Sequence, residues 1–554
     1  MEKGVLPQHN EPSTARSPAI IRILSWLGIA SGLYLLLGSW ESEFDGPACR
    51  SGAQSNAAPF DWDKLQPSKK LHWVPLDHHD HSVGTAAIAL IRYPAKVDPK
   101  SEKYRGPILF NPGGPGGPGV GLVLNRGPLL QAVVGDEFDI IGFDPRVDIF
   151  PLPLEREKFA LRYSDAPLMN ETSGALGEAV ALARLTHQLI YAKAPLAAQL
   201  TEWVRILLIE FAGAESQKIS CNIGASLMVQ SSATHGVVDA EDYYSGTWGS
   251  NLREADKGLD LIFRQCAEAE NDCPLYESTP EKVKSRYFKL LENLEKNPVP
   301  VFTEQDGGIV NRRDVHALVF VLLYSPYTAG NIVFEALRQL EAGNGHLVWR
   351  LTRELELDCQ CGLPRPLPTG GREALAAIAC TDAHRVEPDH ATLQKHYEEL
   401  AKVSIFADIW ANVHYSCIDR QVKPKWEWKG PVAANHTSFP ILMIGNTLDP
   451  VTPDANKMSK AFNGSVALTQ NSAGHCSIAA SSLCTAKAIR KYFQEGVLPE
   501  EGTVCDVEDH VFLGLRGRGF VATDEEEARI LSAIRSLRGD VDFAALARRR
   551  GRPF

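Results

Sequence analysis

Residues Phe439–Ser477 read FPILMIGNTLDPVTPDANKMSKAFNGSVALTQNSAGHCS, and they contain two short apolar runs, each followed by a loop with a reactive side chain. The runs Pro440–Ile444 and Ser465–Gln470 have the length and composition of strands. The loop after the first carries Asp449, and the loop after the second carries His475. Loops that follow neighbouring parallel strands meet at one edge of the sheet, where a carboxylate can orient an imidazole base. The pattern therefore predicts an acid–base pair.

The composition is that of a folded globular protein. The chain has 554 residues, of which 44% are hydrophobic and 23% are charged, and its formal net charge is −11. The length predicts roughly two to four domains. The negative charge disfavours a nucleic-acid binder, which would present a basic surface. No metal or organic cofactor is expected, because Cys359 and Cys361 have no matching ligand pair and the chemistry of an acid–imidazole pair needs none.

An uncharged apolar segment of 18 residues, Ile23–Trp40, lies near the N-terminus. Its length is at the lower limit for crossing a bilayer, which takes about 20 residues. Arg16 and Arg22 precede it and Glu41 follows, so the positive-inside bias places the N-terminus in the cytosol. We interpret the segment as a membrane anchor with the body of the protein outside the cytosol. A cleaved signal peptide, which would give a secreted protein, is the alternative.

The cysteines and sequons fit an oxidising compartment. All eleven cysteines follow the apolar segment, and the closely spaced pairs Cys266/Cys273 and Cys476/Cys484 are each predicted to form a disulfide. An odd count leaves at least one thiol unpaired. Glycosylation sequons occur at three asparagines, Asn170, Asn435 and Asn463.

Upstream, an apolar strand runs into a turn built almost entirely of glycine and proline. Pro107–Phe110 is the strand, and Asn111–Gly119 reads NPGGPGGPG. Such a turn exposes backbone N–H groups at a strand end and can form half of an oxyanion hole. The alternative is a flexible connection without a functional role.

The remaining patterns predict the domain organisation. Helical periodicity recurs between residues 251 and 430, as expected for a lid inserted into a sheet domain. Before it, Asp239, Glu241 and Asp242 are interpreted either as solvated loop acids with a helix cap or as a holder for a substrate's amino terminus. The predicted parts are a cytosolic tail (1–22), the anchor (23–40), a linker (41–70), the first part of the core (71–250), the lid (251–430), the second part of the core with the acid and histidine (431–510), and a C-terminal helix with a basic tail (511–554).

Several motifs together resemble those of secreted α/β-hydrolase peptidases related to tripeptidyl aminopeptidase and proline iminopeptidase. The motifs are FNPGGPGGPG, GFDPR, GVVDAEDYYSGTW, and IGNTLDPVTP with SAGHCS, of which the last pair is similar to the family's TAP-like C-terminal domain. The resemblance covers roughly residues 70–510. It implies an α/β fold with a doubly wound, mostly parallel sheet, an inserted helical lid, and a Ser-Asp-His triad that acts on peptides.

By this resemblance, individual residues acquire expected roles. Asp449 would be the triad acid and His475 the general base. Backbone amides at Gly113 and Gly114 would donate to the oxyanion. Short peptides or single residues would be released from the free N-termini of peptide substrates.

The sequence departs from the family at the nucleophile. The family's G-x-S-Y-G-T elbow is missing, and no G-x-S-x-G occurs anywhere in the chain. Instead, His235 runs directly into Gly236, and on the order of 60 residues are absent, given that a βαβ unit alone takes about 30. We therefore expect a sheet that is incomplete in the centre, and we interpret the gap as an incomplete or alternatively spliced coding sequence. Ser226 is a weak substitute, because Met228 stands where the elbow needs a small residue.

Three functions follow from these observations. The first is a serine exopeptidase of which this chain is an inactive or truncated version. The second is a non-catalytic pseudoenzyme that binds a peptide or a protein partner. The third is an esterase on the same fold. The sequence makes no prediction about the oligomeric state.

Overall fold

A nine-stranded, mostly parallel sheet organises the computed structural model of the chain. The structure describes residues 70–75, 80, 82, 84–145, 169, 172–193, 218–221, 231–303, 307–352, 371–420, 431–437, 439–514 and 522–538. The strands are β1 (Lys70–Pro75), β2 (Thr85–Tyr93), β3 (Pro107–Asn111), β4 (Asp139–Phe143), β5 (Lys218–Cys221), β6 (Ser231–His235), β7 (Val299–Phe302), β8 (Gly307–Val310), β9 (Leu442–Leu448), β10 (Val466–Ala473) and β11 (Val504–Asp506).

The strand order of the large sheet is β1-β2-β4-β3-β5-β6-β9-β10-β11, while β7 and β8 form a separate hairpin. The pairs β1/β2 and β2/β4 are antiparallel, and every other pair in the large sheet is parallel. Because the parallel strands from β4 to β11 point the same way, the loops at their carboxyl ends share one edge. This is the edge at which open α/β sheets bind ligands.

The expected gap in the centre of the sheet is not found, so that detail of the prediction was wrong. Strand β5 occupies the position: Ile108 of β3 pairs with Lys218, and Lys218 pairs with Ser231 of β6. The four residues of β5 carry too few apolar side chains to be recognised as a strand from sequence. The connection from β5 to β6, however, is short. Nine residues separate Cys221 from Ser231, whereas a crossover between parallel strands usually takes a dozen or more.

Helices lie on both faces of the sheet. In chain order they are α1 (Gly119–Val134), α2 (Ala175–Lys193), α3 (Ala240–Ser245), α4 (Ala255–Glu268), α5 (Pro280–Lys296), α6 (Arg312–Leu322), α7 (Pro326–Glu341), α8 (His346–Thr352), α9 (Gly371–Asp382), α10 (His390–Ala401), α11 (Ala407–Tyr415), α12 (Ala455–Ser459), α13 (Leu483–Glu495) and α14 (Glu525–Arg538).

Alternation along β9 shows why its sequence is apolar throughout. Leu442 packs in a core with Ile489 of α13 and Ile534 of α14, whereas the next residue, Met443, packs with Met458 of α12. Successive side chains of a strand point to opposite faces. A strand that is covered on both faces therefore needs a continuous apolar run, which is the pattern that identified it in the sequence.

Residues 240–420, between β6 and β9 along the chain, form what we call the helical insert. Its helices share an extensive apolar core that includes Phe263, Phe320, Phe334 and Trp410. Residues 390–415 form two helices, α10 and α11, rather than one, because Ser404 lies between them and its hydroxyl donates to Asp256 of α4.

The disulfides agree with one predicted pair and contradict the other. Cys266 is bonded to Cys273, as the sequence predicted. Cys484, however, is bonded to Cys505, and Cys476 is a buried free thiol, so the predicted Cys476/Cys484 pair was wrong. Cys484 lies on α13, where it meets β11, whereas Cys476 lies in the loop at the site described below. A further bond, Cys380–Cys417, joins α9 to the end of α11.

Two sequons are adjacent on the surface. Asn435 and Asn463 are both exposed, and the amide of Asn463 donates to the carbonyl of Ala434 at 3.1 Å. Asn170 and the apolar segment Ile23–Trp40 lie outside the described residues. Within the described ranges, no helix has the length and hydrophobicity needed to traverse a bilayer.

Candidate active site

The loops after β9 and β10 lie next to each other at the carboxyl edge of the sheet. Leu448, the last residue of β9, is paired with Ala473, the last residue of β10. Asp449 therefore follows its strand directly, and His475 follows after only Gly474. The parallel register, rather than a long excursion of either loop, brings the two side chains together.

Asp449 and His475 are in hydrogen-bond contact. The Nδ1 atom of His475 lies 3.1 Å from Oδ1 of Asp449. The Thr452 hydroxyl lies 3.2 Å from the same nitrogen and 3.1 Å from Oδ2 of Asp449. Asp449 is fully buried, whereas 26% of the His475 side chain is exposed. The acid thus holds one ring nitrogen, and the accessible part of the side chain is the imidazole.

The buried carboxylate of Asp449 is saturated with donors. Oδ1 accepts the backbone N–H groups of Val451 at 3.0 Å and Thr452 at 2.9 Å, and Oδ2 accepts that of Cys476 at 3.0 Å. Burial by itself would raise the pKa of Asp449, but the charge of His475 and these hydrogen bonds outweigh it and lower the pKa. The acid is therefore ionised and rigid.

The imidazole of His475 is a strengthened base. Burial alone would lower its pKa, but the neighbouring Cys476 sulfur and the Asp449 carboxylate oppose that effect, and the pKa is raised well above its usual value. Because Asp449 binds Nδ1, the tautomer with the proton on Nδ1 leaves Nε2 free to accept a proton. This is the arrangement of a general base oriented by a buried acid.

The end of β6 forms the wall beside this pair. A Cβ at Gly236 would lie 2.5 Å from Sγ of Cys476 and 3.1 Å from Cε1 of His475, and its φ is +62°. Next to it, Nδ1 of His235 contacts the Ser477 hydroxyl, and burial lowers the pKa of His235 to about 4. Sequence reasoning missed His235 and Ser477, because no local pattern indicates a contact between residues so far apart in the chain.

The glycine-rich turn lies at the carboxyl end of β3, on the same edge of the sheet. One of its two predicted oxyanion donors is occupied, because the amide of Gly113 donates to the side chain of Asn111 at 2.9 Å. Among the residues that the structure describes, no hydrogen bond connects this turn with Asp449 or His475. The sheet order separates β3 from β10 by three strands.

The acids that follow β6 are engaged elsewhere. Lys457 binds Asp239 at 2.7 Å and Glu241 at 2.7 Å. Asp239 also caps α3 by accepting the amide of Glu241. Asp242 accepts the amide and the hydroxyl of Ser250, both at 2.7 Å. Of the two interpretations offered by the sequence, these contacts favour the structural one, and a substrate amino terminus would have to displace Lys457.

A serine nucleophile is not found next to His475 in the part of the chain that the structure describes. The hydroxyl that contacts the imidazole belongs to Thr452, and it contacts Nδ1, the nitrogen that is already hydrogen-bonded to Asp449. The weak candidate Ser226 lies outside the described residues. Within the same ranges, no group of three or more metal-ligating side chains is present.

Comparison with known proteins agrees with this geometry. The family described as TAP-like protein matches residues 402–505, which include both Asp449 and His475. Serine protease Hip1 of Mycobacterium tuberculosis, and likewise that of Mycobacterium bovis, is 41% identical over 73 residues, which span 13% of this chain and 13% of that protein.

A longer and weaker similarity extends over most of the chain. "Putative hydrolase YuaR" of Escherichia coli is 24% identical over 451 residues, which span 76% of this chain and 84% of that protein. The strand order, the acid–histidine pair at the carboxyl edge and these similarities lead to one conclusion. The chain has an α/β-hydrolase fold, and its C-terminal part, residues 402–505, is similar to the TAP-like family.

Proposed function

We propose that this chain carries the acid–base half of a serine exopeptidase that releases short peptides or residues from peptide N-termini. The observation that carries the proposal is the hydrogen bond between His475 and the fully buried, donor-saturated Asp449. Burying a carboxylate is costly unless it is paired and hydrogen-bonded, and here the imidazole of His475 is the pairing partner. The resemblance to tripeptidyl aminopeptidases supports the substrate class.

In the proposed mechanism each residue would have a distinct role. A serine hydroxyl placed at Nε2 of His475 would lose its proton to the imidazole as it attacks a peptide carbonyl. Asp449 would stabilise the imidazolium that forms, and His475 would then return the proton to the leaving amine. The amide of Gly114 is the remaining predicted donor to the oxyanion in the glycine-rich turn.

The chain as it stands lacks the hydroxyl for this sequence of steps. No G-x-S-x-G occurs in it, and without a nucleophile only a small residual rate over water is expected. We therefore propose that the chain is inactive as a serine hydrolase and that a longer form of its coding sequence supplies the elbow. The transcript around the codons for residues 222–230 tests this directly, because β5 ends at Cys221 and β6 begins at Ser231: a main product that encodes the same short connection contradicts it.

A pseudoenzyme that binds a peptide without cleaving it is the second candidate, favoured by the same missing motif beside an intact acid and base. An esterase on this fold is the third. A fluorophosphonate probe separates them, because it labels an activated serine only. We expect no labelling of this chain, and labelling that disappears in a His475→Ala variant would show that a nucleophile is present after all. For a labelled form, peptidyl amides and simple esters compared as substrates distinguish peptidase from esterase.

The cellular setting is also a proposal. Disulfides in the described part of the chain fit an oxidising compartment. We propose that Ile23–Trp40 anchors the protein with its body outside the cytosol, or is cleaved to release it. We further propose glycans on Asn435 and Asn463. Peptide mass spectrometry of the protein from its native host, with and without an amidase that removes N-linked glycans, tests these two sites.

A further inference from the structure

The turn between α6 and α7 reaches from the helical insert to the loop that carries His475. The backbone N–H of His475 donates to the carbonyl of Tyr324 at 2.9 Å. The ring of Tyr324 also meets the imidazole nearly edge-on, with centroids 5.3 Å apart and an interplanar angle of 69°. One residue of the insert thus contacts both the backbone and the side chain of His475.

The same turn also lies close to Gly474, the residue before His475. A Cβ at Gly474, whose φ is +105°, would lie 3.1 Å from the Pro326 ring and 3.3 Å from the carbonyl of Tyr324. Glycine is therefore required there both by its backbone conformation and by the space that the insert leaves. The turn cannot shift relative to His475 without breaking these contacts.

Tyr324 is in turn held by the core of the insert. Its ring packs on Phe320, one helical turn earlier, with centroids 5.8 Å apart. Phe320 contacts Phe406 at 5.2 Å and Trp410 at 6.1 Å, and Trp410 donates to the backbone carbonyl of Trp248. A continuous series of aromatic contacts therefore connects the imidazole of His475 with the interior of the insert.

We propose that Tyr324 is a positioning residue, through which the helical insert sets the orientation of the His475 imidazole. The contacts of Asp449 and Thr452 both reach Nδ1 and hold that atom of the ring. The edge-on contact from Tyr324 restrains the plane of the ring and covers one side of it. This rests on the proposed role of His475 as general base, and it makes the insert part of the acid–base apparatus.

The test measures His475 itself in the full chain. Diethyl pyrocarbonate acylates neutral imidazoles, and peptide mass spectrometry reports the rate at each histidine across a pH series. In Tyr324→Ala we expect the rate at His475 to rise roughly two- to ten-fold, the factor that corresponds to an aromatic pair. We also expect the midpoint of its pH profile to fall towards 6.5, because admitted water weakens the attraction of Asp449 and Cys476. Tyr324→Phe should restore the wild-type rate and midpoint.

The control removes a different aromatic ring of the insert, Tyr276, which is 37% exposed. Tyr276→Ala should leave His475 unchanged, and His396 should react equally in all variants. Equal rates and midpoints at His475 in Tyr324→Ala and wild type overturn the proposal. If Tyr324→Ala fails to fold, Tyr324→Leu keeps the apolar volume without the ring. A faster reaction and a lower midpoint at His475 in that variant support the proposal, and unchanged values overturn it. Because no turnover is measured, a negative result leaves the peptidase proposal standing, and a chain without peptidase activity can still give a positive one.

Discussion

Around His475, each carboxylate oxygen of the buried acid has donors and the base is held from two directions. At the β5–β6 connection, by contrast, nine residues join two parallel neighbours and no G-x-S-x-G is present. The two regions differ in how they are encoded. The acid–base half needs one continuous segment of two strands and their loops, whereas the nucleophile half needs a strand, an elbow and a helix in sequence. An internal loss of sequence can therefore remove one half and leave the other intact.

Restoring the nucleophile half should have the largest effect. Residues 222–230 would be replaced by a G-x-S-Y-G-T elbow and a following helix, as in the peptidase family that the sequence resembles. If the acid–base half is competent, turnover of aminoacyl and peptidyl amides should rise on the order of a thousandfold or more, together with labelling by a fluorophosphonate.

Two matched variants control that experiment. The same insertion with its serine changed to alanine, and the intact insertion combined with His475→Ala, should both remain unlabelled. An insertion that folds and presents its serine but gains no labelling would show that Asp449 and His475 are not a working acid–base pair.

Removing the acid should cost the most stability. Asp449→Ala leaves several buried N–H groups and the imidazole without their acceptor, so we expect a loss of about 3–5 kcal/mol in the free energy of unfolding. Asp98→Ala removes an exposed turn acid that accepts one amide, that of Lys100, and should cost less than about 1 kcal/mol. Chemical denaturation measures both. Similar losses for the two variants would mean that the acid–base half is not the rigid part of the molecule.

The acid–base half was also the part that the sequence predicted best. Apolar runs of strand length, each followed at once by Asp449 or His475, leave little freedom in where those side chains lie. The four-residue β5 was missed because Lys218–Cys221 has no apolar run. The partner of Cys484 and the contact of Tyr324 with His475 were missed because both depend on how distant segments pack. Local pattern does not carry that information.

Gly236 lies where the end of β6 contacts the loop that carries His475 and Cys476. Its substitution should measure how tightly that strand and that loop are packed. Gly236→Ala imposes a side chain at φ +62°, and its Cβ would lie 2.5 Å from the Cys476 sulfur. Gly496→Ala has a similar φ of +71° but open space around the added atom, so it reports the backbone cost alone. We expect Gly236→Ala to be more destabilising than Gly496→Ala by about 1–3 kcal/mol, the usual cost of overpacking. Equal losses in thermal or chemical unfolding would mean that β6 can move away from the base.

The pH dependence of stability should distinguish the helical insert from the loop that carries His475, because the pKa values of His396 and His475 are shifted in opposite directions. In the insert, burial and the nearby His414 lower the pKa of His396 to about 4, and Asp242 only partly opposes them. The two rings lie 4.1 Å apart, and Nδ1 of His414 contacts the carbonyl of Gly246 at 2.5 Å. The fold therefore favours the neutral form of this pair.

A histidine whose pKa is lowered by folding stabilises the folded state at any pH above its unfolded pKa of about 6.5. That stabilisation is lost as the pH falls from 6.5 towards 4, the pKa of His396 in the fold. For His396 alone the loss between pH 8 and pH 5 is about 2 kcal/mol. His475, whose pKa is raised, contributes most below pH 6.5 and loses its contribution as the pH rises. Hydrogen exchange, corrected for its intrinsic pH dependence, should show α10 and α11 less protected at pH 5 than at pH 8, with no such loss in β10. Strand β9 is not a control, because it is paired with His235, whose pKa is also lowered to about 4. His396→Phe keeps an aromatic ring against His414 but cannot titrate, so it should reduce the change in α10 and α11; an unchanged pH response would place the sensitivity in other groups.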